Sequence, residues 1–114
     1  MLMVNYHNRI FRTVSNSENG ETSSETEFHY KQIGNIVFAE YFGGSIKYGH
    51  LLGLVSEYGT IDMKYHQVNI KGEIMTGTCE SIPEILDNGK IRLHESWQWT
   101  SGDLSKGKSI VDEQ

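Results

Sequence analysis

Apolar and polar residues alternate along most of this chain, in short segments separated by turns that contain glycine. The alternation begins near Glu25, continues almost to the C-terminus and is not interrupted by any stretch of helical periodicity. Glycine and asparagine tolerate the positive φ that tight hairpin turns require, so the pattern predicts an antiparallel meander. The turns span Ile33–Ile36, Phe42–Ser45, Glu57–Thr60, Ile70–Glu73 and Asp87–Lys90.

The spacing of these turns defines about eight candidate strands, roughly ten residues apart, which is typical of a barrel or a sandwich. Consecutive hairpins without a long crossover favour an up-and-down barrel, closed or nearly closed, because closure removes exposed edges. The segment around Pro83 has room for one helical turn at most. We therefore expect one all-β barrel domain, residues 1–114, with strands at Arg9–Ser15, Thr26–Ile33, Ile36–Phe42, Ile46–Val55, Ile61–Ile70, Glu73–Ser81, Ile91–Thr100 and Lys106–Glu113.

Side chains alternate across a strand, so one face of each strand points toward the interior. Directing the more apolar face inward predicts a core that contains Phe28, Phe38, Leu52, Leu54, Met63, Leu93, Trp97 and Trp99. The same inward faces carry polar and tyrosine side chains, namely Arg12, Glu40, Tyr48, His50, Tyr65, Gln67 and Glu95. An ionised carboxylate in a dry interior is costly unless it is paired and hydrogen-bonded, so Glu40 and Glu95 require partners.

The converging polar and aromatic side chains predict a small-molecule site inside the barrel. Glu95 lies between Leu93 and Trp97 on its face, so we expect it to form the polar anchor of the site together with Tyr65 and Trp97. The other candidate ligand-binding residues are Glu40, His50, Tyr48, Gln67, Trp99 and Arg12. The alternative interpretation is that these side chains fill a narrow barrel, with Trp97 and Trp99 as core residues.

The sequence gives little support for metal, thiol or nucleotide chemistry. No HxH pair and no HExxH sequence occurs among the five histidines, and His94 and Glu95 point to opposite faces of their strand. Cys79 is the one thiol, and no histidine adjacent in sequence marks it as an activated nucleophile. The glycine clusters form neither a GxGxxG nor a Walker sequence. We expect no metal and no cofactor.

Charge and hydropathy limit the partners and the location. The net charge is −5 with scattered lysines, whereas a nucleic-acid-binding protein usually presents a clustered basic face. No apolar run approaches the roughly 20 residues that cross a bilayer, and Met1–Val4 is too short for the core of a signal peptide. A single cysteine fits a reducing compartment. We therefore expect a cytoplasmic protein that binds neither nucleic acid nor membrane.

Three segments resemble a small family of uncharacterised bacterial proteins of similar length: Phe11–Tyr30, Tyr65–Gly77 and Gly89–Ser109. Some members are labelled N-acetylglutamate synthase. Acetyltransferases of the usual kind have an α/β fold with a glycine-rich pyrophosphate turn, and this sequence predicts neither; the resemblance implies no established catalytic residues. The strand pattern also resembles the calycin barrels, which include lipocalins, fatty-acid-binding proteins and avidins, although the lipocalin G-x-W sequence is absent. That resemblance implies a barrel with ligand binding in its lumen.

Three functions are consistent with this pattern. The first is a barrel that binds a small apolar or amphipathic molecule in its lumen. The second is an enzyme that uses Glu40, Glu95 or His50 as an acid or base in the same cavity, because burial raises carboxyl pKa values into a range suited to proton transfer. The third is an interaction module without a ligand, for instance a homodimer. A filled lumen would remove the first two.

Overall fold

Eight antiparallel strands form a closed up-and-down barrel in the computed structural model, which describes residues 4–114. Each strand pairs with the next along the chain, and the last strand pairs with the first to close the sheet. The all-β barrel predicted from the sequence is confirmed. The strands are β1 (Arg9–Asn16), β2 (Glu27–Ile33), β3 (Ile36–Gly43), β4 (Ile46–Val55), β5 (Ile61–Asn69), β6 (Ile74–Ile85), β7 (Ile91–Trp99) and β8 (Lys106–Glu113).

The strand boundaries agree with the predicted turns except at the end of β6. Gly34, in the two-residue loop between β2 and β3, has the positive φ of 60° that such a turn requires. The segment around Pro83 forms no helical turn, because β6 continues through it to Ile85 and pairs Pro83 with Leu93 of β7. Within residues 4–114 no helix is long and apolar enough to cross a membrane.

One end of the barrel is filled by side chains. Tyr6, which precedes β1, packs with Phe11 and Tyr30 in an aromatic cluster whose ring centroids lie between 4.9 and 6.5 Å apart. The Tyr6 hydroxyl donates a hydrogen bond of 2.5 Å to the carbonyl of Gly59, in the turn between β4 and β5. Leu93 is fully buried in the same core. Free space in the lumen therefore lies toward the opposite end.

The structure confirms the predicted inward face for three strands and reverses it for three others. On β2, β5 and β7 the predicted core residues are buried: Phe28, Met63, Leu93, Trp97 and Trp99. On β1, on β3 and on β4 after its irregular start the prediction is wrong, and the buried inward residues there are Phe11, Thr13, Val37, Ala39, Tyr41, Gly49, Leu51 and Gly53. The residues that consequently point outward are Arg12, Phe38, Glu40, Tyr48, His50, Leu52 and Leu54.

The reversal on β4 follows from the limited volume of the lumen. Tyr41 lies directly opposite Gly49 in the pairing of β3 with β4, and a Cβ at Gly49 would overlap the Tyr41 ring. A Cβ at Gly53 would come within 2.9 Å of the side chains of Ile61 and Met63 on β5. The larger apolar residues of this strand, such as Leu52, face outward because the interior has no room for them. Choosing the more apolar face therefore selects the wrong one.

Candidate functional site

A cavity of about 50 Å³ occupies the lumen on the side away from the aromatic cluster. The loop between β1 and β2, residues 17–26, extends over it and is called the cover loop below. The walls are mostly apolar and aromatic with a few polar groups, a composition typical of small-molecule sites. A volume of this size holds on the order of three to five water-sized groups.

Aromatic rings form one wall of the cavity, and two of them lie against a glycine of the neighbouring strand. Tyr65 is opposite Gly77 of β6, and Trp97 is opposite Gly107 of β8. A Cβ at either glycine would overlap the facing ring. The ring of Trp99 completes the wall, with its centroid 5.5 Å from that of Trp97 and 5.8 Å from that of Tyr65. The absence of a side chain at these two glycines leaves room for the rings.

Glu95 supplies a carboxyl group inside the lumen. Its Oε2 accepts a hydrogen bond from the Ser81 hydroxyl and its Oε1 accepts one from the Ser109 hydroxyl, both at 2.9 Å. Among residues 4–114, no Lys, Arg or His nitrogen lies within 4.0 Å of this carboxylate. Burial raises the pKa of Glu95, and the hydrogen bonds from the two serines oppose that rise without cancelling it. The carboxyl group is therefore hydrogen-bonded but has no cationic partner.

Hydrogen bonds attach the cover loop to the barrel. The Glu21 carboxylate accepts from Gln67 Nε2 and from Asn69 Nδ2, both at 2.8 Å. The Asn19 carbonyl accepts from Trp99 Nε1 at 3.0 Å. Because these bonds join the loop to side chains of β5 and β7, they hold the loop against the barrel beside the cavity.

The structure brings five of the nine candidate residues together at the cavity: Glu95, Trp97, Tyr65, Gln67 and Trp99. The other four, Arg12, Glu40, Tyr48 and His50, lie on the outer surface, so the prediction that they face the lumen is wrong. Their strands are the ones whose inward face is reversed. Arg12 pairs on the outside with Glu27, at 2.6 Å.

Several polar groups of the site were not among the residues predicted from the sequence. They include Glu21, Tyr41 and Ser109, which line the cavity, and Ser81, which donates a hydrogen bond to Glu95. The Tyr41 hydroxyl donates to Gln67 Oε1 at 2.7 Å. The glycines inside strands were a usable signal for the two serines, because Gly77 and Gly107 mark the inward faces of β6 and β8 on which they lie. No comparable signal exists for Glu21, which lies in a loop without periodic pattern.

The described part of the chain contains no arrangement of side chains suited to metal binding or to thiol chemistry. No group of three or more His, Cys, Asp and Glu residues there could hold a metal ion. Cys79 is buried at the cavity wall, and burial raises the pKa of its thiol well above the ordinary value. A thiol that stays protonated is a poor nucleophile.

Replacing Glu95 by glutamine should change how stability depends on pH. The raised pKa means that the folded protein binds the Glu95 proton more tightly than the unfolded chain does. The resulting stabilisation is complete below the ordinary carboxyl pKa and is lost as the pH rises through the raised value. Glu95→Gln removes this loss, so the variant should gain stability relative to wild type between pH 4 and pH 8.

Urea unfolding of both proteins at the two pH values measures this gain. Asp112, whose pKa is lowered chiefly by a hydrogen bond from Arg92, has the opposite pH dependence, but it is present in both proteins and cancels in the comparison. An equal stability difference at pH 4 and pH 8 would contradict the burial of the Glu95 carboxyl.

A comparison with protein families gives one match. The family model described as "Avidin-like protein" matches residues 4–114. The matched range coincides with the part of the chain that the structure describes, and it includes all eight strands. No curated protein matches the chain.

Proposed function

Since this chain belongs to the avidin-like family, we propose that it binds a small amphipathic molecule in the lumen of its barrel. The observation that carries the proposal is the cavity beside the cover loop, which is lined by the rings of Trp97, Trp99 and Tyr65 together with Glu95. A barrel filled only for stability has no need of a carboxyl group without a cationic partner in its interior, since burying such a group is costly.

The lining residues suggest a division of roles. The rings of Trp97 and Trp99 would cover the apolar part of the ligand, because large aromatic faces provide much contact area. Glu95 and Gln67 would fix its polar part by hydrogen bonds. The cover loop would exclude water once the ligand is inside.

Tryptophan fluorescence tests this proposal, because the chain has two tryptophans and both line the cavity. We expect a titration with a panel of small acids, amines and sugars, together with biotin as a ligand of this family, to yield at least one saturable response. Tyr65→Ala, in the cavity wall, should weaken that binding. Tyr48→Ala, the same substitution on the outer surface, should leave it unchanged. Saturable binding that Tyr48→Ala abolishes and Tyr65→Ala leaves intact would place the ligand outside the lumen.

Acid–base catalysis in the same cavity is less well supported. Of the three acid–base candidates from the sequence, Glu95 lines the cavity whereas Glu40 and His50 lie on the outer surface. A catalytic role would therefore depend on Glu95 together with a group of the substrate or of the cover loop.

We also propose that the protein is cytoplasmic, because its cysteine, Cys79, is a free thiol, as is usual in a reducing compartment.

A homodimer is a further part of the proposal. Ile36 of β3 pairs with Leu54 of β4, and both are exposed beside the exposed Leu52. Exposed apolar residues on neighbouring strands are typical of a protein–protein contact. Sedimentation equilibrium of the purified chain should give the mass of a dimer, whereas a monomer mass at all concentrations would rule the dimer out.

A further inference from the structure

The lumen has acceptor groups for positive charge and no positive charge of its own. Two carboxyl groups, of Glu95 and Glu21, line the cavity, and no Lys, Arg or His among the described residues does so. Each Glu95 oxygen accepts one hydrogen bond from a serine, although a carboxylate has about four acceptor sites. Glu21 accepts hydrogen bonds from two neutral amides. Acceptor sites and uncompensated negative charge therefore face the same small space.

The aromatic wall favours the same kind of ligand. The face of an indole ring carries partial negative charge and attracts a cation within about 6 Å of its centre, tryptophan being the strongest of the three aromatic side chains. Trp97 and Trp99 lie side by side in this wall, with Tyr65 next to Trp99. An anionic group would be repelled by both the rings and the carboxylates. A purely apolar group would leave the carboxyl group of Glu95 with the hydrogen bonds from Ser81 and Ser109 and no opposite charge.

We propose that the group bound in the cavity is a small organic cation, of alkylammonium or guanidinium type, with Glu95 as its counter-ion and the tryptophan rings as its walls. This inference rests on the proposed function, because it assumes that the lumen is a ligand site. The volume of about 50 Å³ fits a cationic head group of about three to five non-hydrogen atoms. The remaining part of a longer ligand would extend out of the cavity past the cover loop. A bound cation also favours the ionised form of Glu95.

Two probes of equal shape test the charge requirement. Butylammonium and 1-butanol differ in the head group alone, and butylammonium is charged at pH 7 because its pKa resembles that of lysine. We expect tryptophan fluorescence of the full chain to report tighter binding of butylammonium by about tenfold or more, as a charge-assisted hydrogen bond would produce. Equal affinity for the two probes would overturn the proposal, even before any variant is made.

Two variants assign the preference to one carboxylate. Glu95→Gln retains the shape of the side chain and removes the charge, so the preference for butylammonium should disappear. Glu57→Gln removes a charge from an exposed position in the turn between β4 and β5, so it should retain the preference. A preference that survives Glu95→Gln, or that Glu57→Gln also abolishes, would overturn the assignment of the counter-ion to Glu95.

The outcomes separate the inference from the proposed function. If both probes bind equally well, the lumen is still a ligand site but not one for cations. If neither probe binds and the wider ligand panel also gives no fluorescence response, both the cation proposal and the ligand site are wrong. Circular dichroism of Glu95→Gln confirms that the variant is folded, and the wild-type comparison does not depend on it.

Discussion

Replacing Leu93 by alanine should lower the free energy of unfolding by about 2–5 kcal/mol. Leu93 points inward from β7, is fully buried and belongs to the core at the filled end of the barrel. The substitution removes apolar surface from the interior and leaves a cavity that rigid neighbouring strands cannot close. Urea or thermal unfolding followed by circular dichroism measures the change.

Leu52→Ala is the matched control, because it is the same substitution on an outward face. Leu52 is 55% exposed, so its truncation should change the free energy of unfolding by about 0.5 kcal/mol or less. Arg92→Ala, next to Leu93 on the outward face of β7, should also have a small effect. If Leu52→Ala were strongly destabilising while Leu93→Ala was nearly neutral, the inward faces described above would be inverted.

Replacing Gly107 by valine should destabilise the barrel by about 1–3 kcal/mol through overpacking. Gly107 faces Trp97 directly across the pairing of β7 with β8, and even a Cβ there would overlap the indole ring. The ring would have to move into the cavity or the strands would have to separate. Unfolding of the variant by urea measures the cost, and the tryptophan emission should shift as the ring is displaced.

A double variant separates this steric effect from a general loss of strand stability. Trp97→Ala alone should cost about 3–5 kcal/mol, as for other buried tryptophans. In the presence of Trp97→Ala the valine at position 107 has room, so the double variant should lose less than the sum of the two single losses. Additive losses would show that the destabilisation by Gly107→Val does not arise from overlap with the Trp97 ring.

The fold was predictable because its signals are local. Turn glycines such as Gly34 and the period-two alternation lie within a few residues of the structure that they specify, and they set the number and order of the strands. Which face of a strand points into the barrel is decided by the other strands as well as by the strand itself. It depends on how much volume the other strands leave, as shown by Gly49, which faces inward because Tyr41 occupies the space in front of it.

The same distinction applies to the site. Glu95, Trp97 and Tyr65 were predicted because each lies on the inward face of a strand, β5 or β7, whose pattern of apolar residues is unambiguous. Glu40 and His50 were placed inside because the outward faces of β3 and β4 are the more apolar ones. The position of Glu21 could not be predicted, since it depends on hydrogen bonds to Gln67 and Asn69, which lie 46 and 48 positions further along the chain.

The most direct test of ligand binding in the lumen is a ¹H–¹⁵N NMR titration that follows the indole N–H signals. The chain has two such signals, from Trp97 and Trp99, and both rings line the cavity. We expect a ligand identified by fluorescence to shift both indole signals and the backbone amides of β5 and β7 while leaving the amide of Glu57, in the exposed turn between β4 and β5, unchanged. A ligand that binds saturably, shifts amides on the outer surface and leaves both indole signals in place would contradict a binding site in the lumen.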